Sequence, residues 1–243
     1  MTALSQDISD FSPLLSASGV RKCYRRGGQE IQVLNEAEVA VVPGEVVILA
    51  GPSGSGKSTL LAILGCLLTP EAGRLSIDGE HPFEMSEAGR ADLRSQKIGY
   101  IFQRCHLIQG LTALENVMMA NLLLGVSAAE SESIAKEKLI AVNLGQHLDS
   151  HASQMSLGQC QRVAVARALA TDPRIILADE PTASLDHKNG EEVISLISSI
   201  GRTPSRAAVI VTHDQRIFKY ADRILWVENG RVKAKSPAAE VCL

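Results

Sequence analysis

Two rhythms of hydrophobic and polar positions alternate along the chain. Short, largely apolar runs at residues 46–50, 98–102, 174–178 and 208–212 are too brief for helices and too apolar for half-exposed strands. They predict strands buried on both faces, as in a parallel sheet covered by helices. Between them lie helical patterns at residues 58–64, 159–170 and 189–200. A longer helical stretch covers 111 to about 148. Thr112 followed by Glu115 predicts a capping box at its start, and the acidic, Ser-rich residues 127–133 predict a second helix start, with Ile134, Leu139 and Val142 as its apolar stripe. A different, more polar alternation marks strands at 17–24 and 31–42, separated by the turn Arg25-Arg26-Gly27-Gly28, and at 74–77 running into Asp78-Gly79. A last hairpin at 223–227 turns on Asn229-Gly230, a type I′ signal.

These elements predict an α/β fold with an antiparallel β subdomain attached and a helical subdomain inserted at about residues 104–158. Residues 14–243 form one domain in this reading. Residues 1–13 are a loose segment, with Pro13 marking the entry to structure. The chain has 243 residues, 45% of them hydrophobic but only 3% aromatic, so the expected core is large and aliphatic. A net charge of −3 points away from nucleic acid as a partner, and the short basic cluster Arg21-Lys22 with Arg25-Arg26 reads as a solvated strand end. Five cysteines (Cys23, Cys66, Cys105, Cys160, Cys242) show no metal-like spacing, and their odd number fits reduced thiols. The opening Met1-Thr2-Ala3-Leu4-Ser5-Gln6-Asp7 lacks a basic and an apolar region, so no signal peptide is expected. No apolar run approaches the ~20 residues that span a bilayer.

One motif narrows the chemistry sharply. Gly51-Pro52-Ser53-Gly54-Ser55-Gly56-Lys57-Ser58-Thr59 fits G-x-x-x-x-G-K-[ST] and sits between an apolar strand and a helix. That context aims backbone N–H groups and the positive end of a helix at a phosphate. Lys57 is then placed to reach the β and γ phosphates of a nucleoside triphosphate, and the Ser58 hydroxyl to bind Mg²⁺. The fold class is therefore a P-loop NTPase core of the RecA-like type. At the end of the strand at 174–178 stand two carboxylates. Asp179 is placed to hold Mg²⁺, and Glu180 to polarise a water for in-line attack. Met155-Ser156-Leu157-Gly158-Gln159 opens another helix as a second anion-binding device. One nucleotide hardly needs two such devices from one chain, which suggests that the second serves the nucleotide of another subunit.

In this order of motifs the chain resembles the nucleotide-binding subunits of ABC transporters over nearly its whole length. The phosphate loop, a Q-loop at Gln103, a signature at 155–159, a Walker B strand ending in Asp179-Glu180, a D-loop Ala183-Ser184-Leu185-Asp186 and a switch histidine at His213 follow one another as in that family. The resemblance implies a head-to-tail homodimer with two ATPs at its interface. Each lies between the phosphate loop of one subunit and Ser156, Gly158 and Gln159 of the other, with Asp186 communicating between the sites. It further implies that Gln103 contacts Mg²⁺ or the attacking water and relays to a membrane permease, which docks around residues 104–116, and that His213 holds the γ-phosphate. Tyr24 matches the aromatic that stacks on adenine, a half-exposed strand tyrosine being the plainer alternative.

Residues 98–103, 209–214 and 221–224 resemble the exporter branch that works with four-helix permeases and periplasmic adaptors, including lipoprotein-releasing, macrolide and glycolipid systems. The implied place is peripheral, on the cytoplasmic face of the inner membrane. A mechanotransmission ATPase acting on a cell-wall enzyme, or an importer ATPase, carries the same motifs. One departure stands out: the family usually has L-S-G-G-Q, and here Met155 replaces Leu and Leu157 replaces the first Gly. Leu157 adds bulk where backbone approaches a triphosphate. His147 and His151, four residues apart, could share a helix face, but no third ligand accompanies them, and they read as solvated helix-end histidines.

Overall fold

All five residues of β3 (Val46–Ala50) are buried, and their side chains part to opposite sides. Val46, Ile48 and Ala50 join one apolar cluster, Val47 and Leu49 another. The same division runs through β6 (Ile175–Asp179) and β7 (Ala207–Val211). A sheet that is apolar on both faces needs cover on both. In this computed structural model, which describes residues 12–235, one face is covered by α5 (Leu157–Leu169) and α6 (His187–Gly201), with α3 (Ala113–Leu122) and α4 (Ala128–Ala141) packed on α5. The other packs on α1 (Lys57–Leu64) and on a second, three-stranded sheet. Most of the expected loose segment, and Cys242, lie outside the described residues.

The large sheet has the order β5-β6-β7-β3-β8-β9, with β5 at Ile98–Ile101, β8 at Arg223–Glu228 and β9 at Arg231–Lys235. Its pairs are parallel except the final hairpin. There Asn229 and Gly230 both take positive φ (50° and 72°), as a type I′ turn requires. The small sheet is antiparallel in the order β2-β1-β4, from β1 (Leu15–Arg26), β2 (Gln29–Val41) and β4 (Ala72–Ile77). Asn35 N–H donates to Gly230 O at 2.8 Å and ties the two sheets together.

Several boundaries differ from the sequence expectation for identifiable reasons. The first hairpin turns on Gly27-Gly28 alone, so Arg25 and Arg26 stay in β1, paired with Glu30 and Gln29. The helical stretch from 111 is two helices, as the second helix start at 127–133 predicts. Gly125, at φ 81°, follows the first, and Ser127 caps the second by accepting from Glu130 N–H. The Thr112–Glu115 capping box is present in both directions, at 2.8 and 3.2 Å. α4 ends at Ala141, and Asn143 follows in the left-handed region (φ 60°), a common helix stop. His147 and His151 therefore lie in turns beyond α4 and share no helix face. Within α4 the buried positions are Ser131, Ala135 and Leu139, with Val142 just beyond, whereas Ile134 is half-buried. Helices α5 and α6 begin two residues earlier than their apolar pattern, because Ser156 and Asp186 cap them. An unexpected helix, α2 (Glu87–Lys97), buries only Leu93, so no apolar stripe announces it.

Candidate functional site

Strands β6, β7 and β3 are neighbours in the sheet, and their carboxyl ends stand level. Asp179 and Leu49 both pair with Val211. Glu180 N–H then donates to Val211 O (2.9 Å) and Thr212 N–H to Leu49 O (3.2 Å). Three chain segments are thus delivered to one edge: the phosphate loop after β3, Asp179-Glu180 at the end of β6, and Thr212-His213 after β7. Strand β5, flanking β6, delivers Phe102 and Gln103 to the same edge. This is the edge at which open α/β sheets bind ligands.

The loop from Gly51 to Gly56 is shaped for a close approach. Gly56 has φ 102°, and a Cβ there would meet Val33 O at 2.8 Å, so β2 itself demands glycine. Helix α1 starts directly after it with no side-chain cap, which leaves its first N–H groups open to an external anion. Lys57 is almost fully buried, and its ammonium donates to Gly51 O and Pro52 O, both at 2.8 Å. An ammonium has three donors, so one is left over. Burial pulls the Lys57 pKa down, while Glu180 and Asp179 oppose that pull. Ser55 Oγ, inside the same loop, is buried without a partner.

Beside the loop, Ser58 Oγ donates to Asp179 Oδ1 at 3.0 Å. Burial raises the Asp179 pKa, and the Ser58 hydrogen bond works against it. Two adjacent hard oxygens, one of them a partly buried carboxylate in want of a cation, fit Mg²⁺. Glu180 takes the left-handed backbone conformation (φ 47°), uncommon for a non-glycine residue. Its carboxylate meets His213 Nδ1 at 2.7 Å. With the proton on Nδ1 the imidazole donates to Glu180, and Nε2 is left free.

The other expected residues are more dispersed. Gln103 is exposed and lines a cavity of about 430 Å³ together with Met155, Leu157, Pro181 and Leu185; among the described residues no hydrogen bond joins it to Ser58 or Asp179. Tyr24 is exposed on the β1–β2 hairpin, directly opposite exposed Ile31. Ser156 accepts from Gln159 N–H (3.2 Å), and Gln159 Oε1 accepts from Ser156 N–H (2.9 Å). The Ser156 hydroxyl proton is not used in this cap, and Gln159 Nε2, which also meets His147 Nε2 at 3.2 Å, keeps a second N–H. At Gly158 a Cβ would come 2.9 Å from Asn189 Oδ1, so a larger residue there would have to push the Asn189 side chain aside. Asn189 in turn binds Asp186 through both its backbone N–H (3.1 Å) and its amide (2.6 Å). Those bonds hold the Asp186 pKa below the ordinary value. The signature and the D-loop are therefore joined by one side chain.

Leu157 is 62% exposed and helps to wall the 430 Å³ cavity. If its bulk hinders closure on a nucleotide, Leu157→Gly is expected to raise ATPase turnover, by about 5- to 150-fold if the overpacking costs ~1–3 kcal/mol. An unchanged or lower rate in steady-state assays would remove the steric explanation. Sequence reasoning missed Gln161 and Arg167, both of which bond to the segment carrying Gln103. Their signal was a polar residue on the apolar face of α5. Elsewhere, Cys23, Glu30 and Glu71 bring ligand-type atoms within 4.8 Å of one another, but Glu71 already accepts from Cys23 N–H and pairs with Lys22.

Residues 34–183 match the family model described as ABC transporter. The lipoprotein-releasing system ATP-binding protein LolD of Shewanella sp. (strain MR-4) is 41% identical over 227 residues, covering 93% of this chain and 98% of LolD. The macrolide export ATP-binding/permease protein MacB of Wolinella succinogenes is 40% identical over 220 residues, which is 90% of this chain but only 34% of MacB. Among solved structures, the dimeric bacterial ABC transporter cassette MJ0796 superposes with a TM-score of 0.85 at 37% identity, covering 91% of this chain and 98% of that one. A dimeric post-hydrolysis state of the same cassette, bound to ADP and Pi, gives 0.84.

Proposed function

The chain belongs to the ABC transporter family, whose ATP-binding domains hydrolyse ATP, and from that premise we propose that two copies clamp two ATPs head to tail and drive a membrane permease as an exporter motor. The observation that carries this reading is the convergence, at one sheet edge, of Lys57, the Ser58–Asp179 pair and the Glu180–His213 pair. Lys57 and the loop N–H groups from Gly51 to Thr59 hold the β and γ phosphates. Ser58 and Asp179, with Gln103 delivered to the same sheet edge, would hold Mg²⁺. When bound, the ion neutralises charge on the phosphoryl group under transfer. Glu180 takes the proton from the attacking water, and His213 orients Glu180 and meets the γ-phosphate. Tyr24 stacks on the adenine.

The second half of each site comes from the other copy. Ser156 keeps a free hydroxyl proton at an exposed helix N-terminus, and Gly158 and Asp186 flank it. Gln159 holds its cap through Oε1 and keeps an amide N–H to offer the same nucleotide. The dimeric state of MJ0796 and the names of LolD and MacB support the homodimer and the permease partner. No helix among the described residues is long and apolar enough to cross a membrane. In this proposal the chain therefore acts at the inner membrane's cytoplasmic face through its permease, with a periplasmic adaptor beyond it. The test is co-purification from membranes with the product of the adjacent reading frame. A permease of four transmembrane helices with a large periplasmic domain, stimulating Mg²⁺-dependent ATP hydrolysis, is the expected result. A six-helix permease encoded beside a binding protein would overturn the exporter reading.

A further inference from the structure

Helix α5 begins at the Ser156 cap and continues as a largely apolar helix whose Val163, Ala164 and Val165 are buried. Gln161 interrupts that surface and is itself only 2% exposed. A buried amide left unbonded costs about 1–3 kcal/mol, so its partners matter. Its Nε2 donates to Phe102 O at 3.2 Å, and its Oε1 accepts from Cys105 Sγ at 3.0 Å. Two turns further along, Arg167 donates to Cys105 O and His106 O, both at 2.8 Å.

These four bonds fall on residues 102, 105 and 106, on both sides of exposed Gln103. The segment is anchored before and after the glutamine, and each anchor is a side chain of α5. We propose that Gln161 and Arg167 are positioning residues, a latch that makes Gln103 move with the signature helix and so couples the two nucleotide sites of the dimer. The proposal rests on the head-to-tail reading above. One end of α5 touches the partner's nucleotide through Ser156, and its flank sets Gln103 at the chain's own nucleotide. Binding at one site then biases the geometry of the other, and such coupling is reciprocal.

The test uses the full chain with its permease and compares the parent with Gln161→Met, which keeps length and loses both polar atoms. The readouts are the Hill coefficient of ATP hydrolysis, kcat at saturating ATP, and ATP affinity of the isolated monomer without Mg²⁺. The expected result is a Hill coefficient falling to about 1 and a several-fold lower kcat, with monomer affinity unchanged. A merely structural role would not lower cooperativity while sparing monomer affinity. If the parent is cooperative and Gln161→Met remains equally so, the latch is wrong. If the parent itself shows a coefficient of 1, the coupled-dimer reading fails and the latch fails with it. Should Gln161→Met lose its cooperative thermal melt, Arg167→Lys decides by the same readouts. It keeps the charge but lacks the planar fork that reaches two carbonyls.

Discussion

Glu180→Gln protein is expected to hydrolyse ATP about 10²–10⁴-fold more slowly than the parent, the usual worth of a general base, while binding ATP at least as tightly. The geometry makes this substitution unusually clean. Glu180 is fixed by its own backbone, through Glu180 N–H to Val211 O and Ala183 N–H to Glu180 O at 3.1 Å. A glutamine of the same shape keeps those bonds. Its amide oxygen still accepts from His213 Nδ1, so the histidine is not set adrift. What disappears is the negative charge and with it the capacity to take a proton from water. Losing a carboxylate next to a triphosphate also relieves repulsion, so binding does not suffer. The trapped species is then an ATP-bound dimer, visible as a doubling of mass by light scattering when ATP is added. A Glu180→Gln protein with full turnover would take the base role away from this residue.

How much of this was legible in the sequence depends on the distance over which each feature is written. The four buried strands are local, and their apolar runs announced them because β3, β6 and β7 bury both faces. Helix α2 was invisible for the opposite reason: with Leu93 as its one buried residue, it has no stripe to read. The phosphate loop is a single contiguous segment, and its strand–loop–helix setting could be read outright. The tight Glu180–His213 contact spans 33 residues; the strand end pointed to Glu180 and the resemblance to His213, but neither to their contact. The Gln161 latch spans 56 and 59 residues and matches no local pattern, so only the folded chain discloses it. Gly158 carries a further lesson. Its sequence context pointed to a nucleotide, and the fold adds that a side chain there would also press on Asn189.

Lys57→Met is expected to weaken ATP binding by about 10- to 100-fold, since a charge-assisted hydrogen bond contributes about 1.5–3 kcal/mol and each 1.4 kcal/mol is tenfold. The ammonium sits in a nearly closed position, and burial works against its charge. Asp179 and Glu180 offset that penalty, and a bound triphosphate would do so more strongly. Binding and the lysine's charge are therefore mutually supporting, which a neutral methionine cannot reproduce. The substitution also strips Gly51 O and Pro52 O of their 2.8 Å donor, so the loop itself should loosen. Calorimetric titration of ATP separates these effects when run beside a thermal melt. The expected pattern is a large loss of affinity with a melting temperature lower by only a few degrees, since about 1 kcal/mol shifts a chain of this size by roughly 2–4 °C. Affinity within twofold of the parent would show that the loop N–H groups hold the phosphates without Lys57. An unfolded variant would instead show that the ammonium's main task is closing the loop. Lys57→Arg sharpens the comparison: it restores the charge, but a planar guanidinium does not fit between the two carbonyls as a point charge does. Its affinity should stay well below the parent's.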